Sequence, residues 1–151
     1  MHLIKRGSLF NSEMQTLVNP VNCVGVMGAG LALSFKNRFP DMFLFYRTAC
    51  AEGRIAVGKP LLYVSADEKI RILLFPTKKH WKDPSETEYV ISGLDYFVRN
   101  YDEMGITSAA FPALGCGYGG LSWNEVLPIM AERLRSVPVP IEIYRPNYFF
   151  L

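Results

Sequence analysis

Seven of the 12 glycines fall in two six-residue windows: Gly25, Gly28 and Gly30 in the first, and Gly115, Gly117, Gly119 and Gly120 in the second. Glycine costs backbone entropy and is placed where a chain must turn tightly or come close to something. Each window lies between a run that reads as a strand and a run that reads as a helix. In α/β sheets ligands bind in the crevice at the carboxyl ends of the strands. Helix N-termini there offer unpaired amides and a partial positive charge, which suit phosphate. One such loop alone is as readily a tight turn as a binding loop. Two of them, each following a strand, point to a shared ligand, a diphosphate gripped from both sides by backbone amides.

The rest of the chain is consistent with an α/β domain. His2 to Arg6 and Thr16 to Asn19 read as strands, and Pro20 to Gly28 as a loop. Gly30 to Arg38 reads as a helix with Leu31, Phe35 and Phe39 on one face. Pro40 stops it, and Asp41 is expected to cap a second helix reaching about Glu52. Leu61 to Ser65 and Ile70 to Phe75 read as paired strands. Ser85-Glu86-Thr87-Glu88 fits a capping box, followed by Val90, Leu94, Phe97, Val98 and Tyr101 at helical spacing up to Gly105. Ile106 to Phe111 is small and apolar, as a strand covered on both faces requires. Ser122-Trp123-Asn124-Glu125 fits a second capping box leading a helix that Pro128 should bend. Val139 to Tyr144 reads as the last strand.

With 151 residues and half of them hydrophobic, one domain spanning 1–151 is expected, large enough to need no staple. Net charge is +2, which with that hydrophobic fraction excludes intrinsic disorder. No apolar run approaches the length of a membrane span. The start, His2-Leu3-Ile4-Lys5-Arg6, reaches charge too soon for a signal peptide. Cys23, Cys50 and Cys116 are odd in number and include no CxxC pair, so neither a disulfide framework nor a metal site is expected. The expected compartment is the reducing cytoplasm. Cys23 and Cys116 read more readily as small residues at loop bases than as nucleophiles.

The chain lacks GxxxxGK[ST], which argues against a P-loop NTPase. Gly28-Ala29-Gly30-Leu31-Ala32-Leu33 begins like a dinucleotide fingerprint but lacks its third glycine, which argues against a dehydrogenase. Asn19 and Asn22 flank Pro20-Val21. Either could orient a sugar through its amide, and either could instead close a turn; Asn22, nearer the glycines, is the better ligand contact. Lys78-Lys79-His80-Trp81-Lys82 follows an apolar strand, so its first members sit at a strand end. Crowded positive charge frees a lysine amine to act as a nucleophile. The same cluster, with Trp81 as a stacking surface, suits single-stranded nucleic acid, although most lysine runs are only solvated faces.

Three stretches carry a resemblance: Leu17 to Asn22, Gly25 to Ala32, and Pro112-Ala113-Leu114-Gly115-Cys116-Gly117-Tyr118-Gly119-Gly120-Leu121-Ser122-Trp123. In this order they resemble the macrodomains, the ADP-ribose-binding fold. Together with Phe75-Pro76-Thr77-Lys78-Lys79-His80-Trp81 they resemble the DarG-type antitoxin macrodomains, which are DNA ADP-ribosyl glycohydrolases; the terminal ADP-ribose protein glycohydrolases share the Thr-Lys step and the Gly-Cys-Gly loop. The resemblance implies a three-layer α/β/α sandwich with a mixed central sheet. It implies an enzyme removing ADP-ribose from thymidine in single-stranded DNA, reversing a DNA-modifying toxin. Carried over by position, Lys78 and Asn22 are the catalytic residues, Asn22 lying beside the distal ribose. Ser8, Leu9, Asn19, Gly28, Ala29, Gly30, Leu31 and Gly115, Cys116, Gly117, Tyr118, Gly119 bind ADP-ribose. Lys79, His80, Trp81 and Lys82 meet DNA. No cofactor, metal or membrane is implied, a cognate DNA ADP-ribosyltransferase is a possible partner, and a monomer is expected.

The chain departs from the pattern in two places. Macrodomains often read adenine with an acidic residue after the early glycine, but Gly7 is followed by Ser8. The protein-directed glycohydrolases carry an Asp in the second loop where this chain has Gly119, which favours the DNA-directed activity. DarG antitoxins continue into a toxin-binding domain, so this chain, with its tail at 147–151, reads either as part of a longer protein or as a stand-alone enzyme. Alternatives are an ADP-ribose reader without turnover, a hydrolase of another ADP-ribose conjugate, or an antitoxin acting by contact. Lys78 itself either attacks the anomeric carbon or stays charged and positions phosphate or base.

Overall fold

A computed structural model describes residues 2–146; the tail at 147–151 lies outside the described residues. The elements in chain order are β1 (His2–Lys5), a 3-10 turn at Leu9–Asn11, β2 (Thr16–Val21), α1 (Gly30–Arg38), α2 (Pro40–Ala51), β3 (Leu61–Val64), β4 (Arg71–Pro76), α3 (Thr87–Asn100), β5 (Ala109–Phe111), α4 (Trp123–Leu134) and β6 (Ile141–Tyr144). They form one mixed sheet in the order β1-β6-β5-β2-β4-β3. All neighbours are parallel except β3, which runs antiparallel to β4 at one edge.

Strand alternation divides the core into two layers. In β4, Leu73 and Phe75 pack with Leu94 and Phe97 of α3 and with Val126 and Met130 of α4. Ile72 and Leu74 face the other way, toward Phe35 of α1 and Met42 and Tyr46 of α2. A strand buried on both faces needs an apolar residue at every position, and the run Ile72 to Phe75 supplies it. The arrangement is the expected α/β/α sandwich. Gly93 lets α3 approach the sheet closely: a Cβ there would run into the Phe75 ring.

Several local expectations need correction. Pro20 and Val21 extend β2, in register with Phe75 and Pro76, so the first loop starts later than the proline suggests. Neither capping box forms its side-chain bonds. The N-cap of α3 is Glu86, not Ser85, and it has no side-chain cap. Ser122 does occupy the N-cap of α4, but with no capping bond from its side chain. Asp41 lies in the first turn of α2, where its charge favours the dipole, while Phe39 holds the N-cap and Pro40 opens the helix. β5 and β6 are shorter than their apolar runs, because Ile106 and Val139 pack into the core from outside the ladder.

Because β1, β2, β4, β5 and β6 run parallel, their carboxyl ends lie on one side of the molecule. The segments leaving them are Gly7-Ser8, Asn22 onward, Thr77-Lys78, Pro112 onward and Arg145. Among the described residues no helix is long and apolar enough to cross a membrane.

Candidate active site

All five of those segments line a single cleft of about 1220 Å³. Both glycine loops contribute to it, with Gly28, Ala29, Gly30 and Leu31 on one wall and Gly115, Cys116, Gly117, Tyr118 and Gly119 on the other. The two walls meet at Tyr118: a Cβ on Gly30 would lie 3.0 Å from its ring, and that ring is otherwise 80% exposed. A side chain at position 30 would therefore push the bridge away, and Gly30 has a positive φ of 57° besides.

Each wall presents amides. Gly30 opens α1 behind Ala29, which supplies no side-chain cap, so the first amides of the helix are left for another acceptor. The helix begins with Leu33 N donating to Ala29 O at 3.2 Å. The second loop is closed by Cys116 N to Ala113 O, Gly120 N to Gly117 O and Leu121 N to Gly115 O. The N–H groups of Gly117, Tyr118 and Gly119 donate in none of these three bonds.

The cleft is cationic. Arg38, Lys78 and Arg145 line it, and among the described residues no Asp or Glu does. Lys78 follows Thr77, whose amide extends the β4 ladder to Val21 O at 2.9 Å. Among the described residues, its Nζ donates one long 3.5 Å bond, to Trp81 O. Among the described residues, the ion pairs are Lys5–Glu142, Arg54–Glu52 and Arg133–Asp95, and Lys78 belongs to none. The loop after Lys78 is tied to the first glycine loop through Cys23, whose amide donates to Lys79 O at 3.0 Å and whose Sγ contacts Lys78 O at 3.6 Å.

Asn22 borders the cleft but spends most of its amide on the loop. Its Nδ2 donates to Val26 O at 2.8 Å, and its Oδ1 accepts from Val24 N at 3.0 Å and Tyr46 Oη at 2.7 Å. One amide hydrogen is outside these bonds. Asn19, expected at the ligand, is not brought to the cleft. It is fully buried in β2, with Nδ2 between Met27 Sδ at 3.8 Å and Met42 Sδ at 3.9 Å. At the far end Ser8 Oγ accepts from Phe10 N at 3.2 Å, and the Arg38 guanidinium lies 4.2 Å from the Phe10 ring centre.

Burial disfavours the thiolate of both cleft-side cysteines. Burial pushes the Cys116 thiol up to about 11, and burial also raises Cys23. Both therefore stay protonated, which fits packing residues and not nucleophiles. Among the described residues no group of three His, Cys, Asp or Glu could hold a metal ion.

Of the basic segment, Trp81 reaches the cleft while Lys79, His80 and Lys82 do not line it. They flank it instead. Trp81 is 50% exposed, with the His80 ring at 5.3 Å and Lys82 Nζ 5.1 Å above the indole. Lys79 Nζ points to the Tyr89 ring at 5.8 Å. Sequence reasoning missed Arg38, Arg145 and Tyr46. Arg145 had a signal, since it directly follows a strand parallel to β5; Arg38 and Tyr46 sit in ordinary helical runs and had none.

The Macro domain family model matches residues 18–130. A "DNA ADP-ribosyl transferase-DNA ADP-ribosyl glycohydrolase fusion protein" of Thermosipho africanus is 44% identical over 93% of this chain and 40% of its own length. Its structure, titled "Thermosipho africanus DarTG in complex with ADP-ribose", superposes with TM-score 0.90 over 97% of this chain and 42% of that one. The "Macrodomain of Mycobacterium tuberculosis DarG" superposes with TM-score 0.91 at 41% identity, covering 97% of this chain and 98% of that one. The chain spans about 40% of the length of the curated relatives it matches. With the sheet order, the two amide-bearing loops and the family match in agreement, this chain belongs to the Macro domain family.

Proposed function

We propose that the chain is an ADP-ribosyl glycohydrolase that releases ADP-ribose from thymidine in single-stranded DNA, with Lys78 as its catalytic residue. The observation that carries this reading is the amine of Lys78, without a carboxylate partner among the described residues, at the edge of a cationic cleft whose walls present two sets of backbone amides. The amides suit a diphosphate. The relatives named for DNA ADP-ribosyl glycohydrolase activity supply the reaction class, and the relative solved with ADP-ribose supplies the ligand.

Cleavage of the base from the distal ribose develops positive character at the anomeric carbon. Glycosidases usually meet this with two carboxylates, and among the described residues no carboxylate lines this cleft. The Lys78 amine is the remaining candidate. In its neutral form it donates its lone pair to the anomeric carbon, while the bond to the thymine nitrogen breaks and its electron pair leaves with the base, which takes up a proton. The ribose ring oxygen then leaves that carbon as a hydroxyl, giving an imine. Water adds to the imine and expels the lysine, restoring the amine and releasing ADP-ribose. Asn22 is placed to bond the distal ribose through its remaining amide hydrogen.

Trp81, flanked by His80, Lys79 and Lys82, forms the surface on which neighbouring bases stack and their phosphates are met. A DNA ADP-ribosyltransferase supplies such a substrate, and one relative carries both activities in one chain. The compartment that fits is the reducing cytoplasm, since Cys23, Cys50 and Cys116 are all free thiols.

The test is single-stranded DNA carrying ADP-ribosyl-thymidine, incubated with wild type and with Lys78→Ala. The expected result is release of ADP-ribose by wild type, leaving unmodified DNA, and a loss of at least about 100-fold in the variant, the lower range for a positioned proton-transfer or nucleophilic group. Borohydride reduction during turnover should trap ADP-ribose on Lys78. Intact substrate with wild type, or equal rates in the variant, would overturn the reading. Tight ADP-ribose binding without release from DNA or protein would identify a reader instead.

A further inference from the structure

Ser85 is buried to 4% exposure, yet its Oγ has no hydrogen-bond partner among the described residues. It does not cap α3, whose N-cap is Glu86. It lies instead under the second glycine loop. Its backbone N–H donates to Gly119 O at 2.9 Å. A Cβ on Gly119 would meet Ser85 Oγ first, and one on Gly115 would lie 3.1 Å from Ser85 Cβ. Gly115 also faces Leu121 Cδ1 at 2.7 Å and Gly119 the Gly115 backbone, so the Ser85 side chain is one of the groups packed directly beneath both glycines. A buried hydroxyl without a partner is destabilising, and alanine would fill the same space without that cost. The fold of the free protein gives no reason for the hydroxyl.

We propose that Ser85 is a positioning residue for the diphosphate loop, its hydroxyl bonding the backbone of Gly115–Gly119 only when the loop has turned its amides to a bound diphosphate. The inference rests on the assignment of ADP-ribose to the cleft. Ser85 is not among the residues that line the cleft, so the hydroxyl acts on the underside of the loop and not on the ligand. Peptide units that donate to phosphate present their carbonyls on the opposite side. The hydroxyl already lies on that side, and the Ser85 N–H to Gly119 bond holds it there. Hydrogen bonds in such a chain polarise and strengthen one another.

The experiment compares wild type with Ser85→Ala in three measurements: thermal midpoint without ligand, ADP-ribose affinity by calorimetry, and kcat and KM on modified single-stranded DNA. The variant should be as stable as wild type or more so without ligand. Its Kd for ADP-ribose and its KM should each rise about 2- to 12-fold, the worth of one net hydrogen bond, with kcat unchanged. A Ser85→Ala protein that binds ADP-ribose as tightly as wild type overturns the proposal alone. So does one that melts lower without ligand or fails to fold, because a hydroxyl with no partner in the free state has no bond to lose. If wild type itself does not bind ADP-ribose, the ligand assignment fails and the proposal with it.

Discussion

Replacing Gly119 by alanine would test whether the second loop is built around the absence of side chains. The added Cβ would meet Ser85 Oγ and Gly115 O, and would stand 2.9 Å from the Gly115 carbonyl carbon. The Ser85 hydroxyl can rotate away. The Gly115 carbonyl cannot, because it is backbone and already accepts from Leu121 N at 2.9 Å. Restoring ordinary contact requires the loop to open by about 1 Å. That strain costs about 1–3 kcal/mol. Loss of the Ser85 N to Gly119 O bond adds about 0.5–1.5 kcal/mol. For a chain of this size a loss of about 2 kcal/mol lowers the melting temperature by roughly 4–8 °C. The same opening displaces the amides of Gly117 to Gly119, and forfeiting one charge-assisted bond to phosphate weakens ADP-ribose by roughly 10- to 150-fold. Thermal melting and titration calorimetry read the two effects. Gly117→Ala is the control for stability: a Cβ there meets nothing within 4 Å, so its melting temperature should match wild type within about 1 °C. A Gly119→Ala protein with unchanged melting and an ADP-ribose affinity within about threefold of wild type would refute the steric reasoning.

Two other perturbations report on separate parts of the molecule. Burial pushes the Glu142 carboxyl up, but bonds from Ser12, Tyr144 and Lys5 outweigh it and hold the group below the usual glutamate range. A depressed folded value gives stability that is present above the unfolded pKa and lost as pH falls through the folded one. Glu142→Gln should therefore cost about 1.5–3 kcal/mol at pH 7, and its melting curve should converge on wild type in acid; a gap independent of pH would count against the network. Trp81→Ala should weaken modified single-stranded DNA by roughly 5- to 150-fold, the worth of one stacked base. Free ADP-ribose should suffer much less, and equal losses for the two ligands in binding assays would remove Trp81 from the DNA surface.

The parts of the fold legible in the sequence were those written in one-dimensional patterns. The helical spacing from Val90 to Phe97, the apolar run Ile72 to Phe75 and the glycine clusters all appear where their periods put them. The capping boxes failed for a physical reason. The backbone N–H of Ser85 is engaged by Gly119 O, 34 residues away in sequence, which holds Ser85 under the second loop and leaves Glu86 at the N-cap of α3. Asn19 failed similarly: its place in β2 alternates into the layer with Met27 and Met42, whereas the loop residue Asn22 is free of the strand's alternation. The cationic lining was illegible because Arg38, Lys78 and Arg145 come from three elements that only the parallel sheet brings to one side.

That lining bears on the chemistry more than any single residue does. A diphosphate brings negative charge into the cleft, and a carboxylate beside it would be held protonated or repelled. A carboxylate-based acid and base are thus poorly matched to a site whose ligand is itself an anion. The fold places its buried carboxylate elsewhere: Glu142 is bonded by Ser12, Tyr144 and Lys5 behind the wall of the cleft. An amine has the opposite relation to the ligand. As a cation it helps hold the phosphates, and as a neutral base it can attack the sugar carbon. The proposed reaction asks both of Lys78, and among the described residues it belongs to no ion pair and its Nζ bonds the Trp81 carbonyl at 3.5 Å.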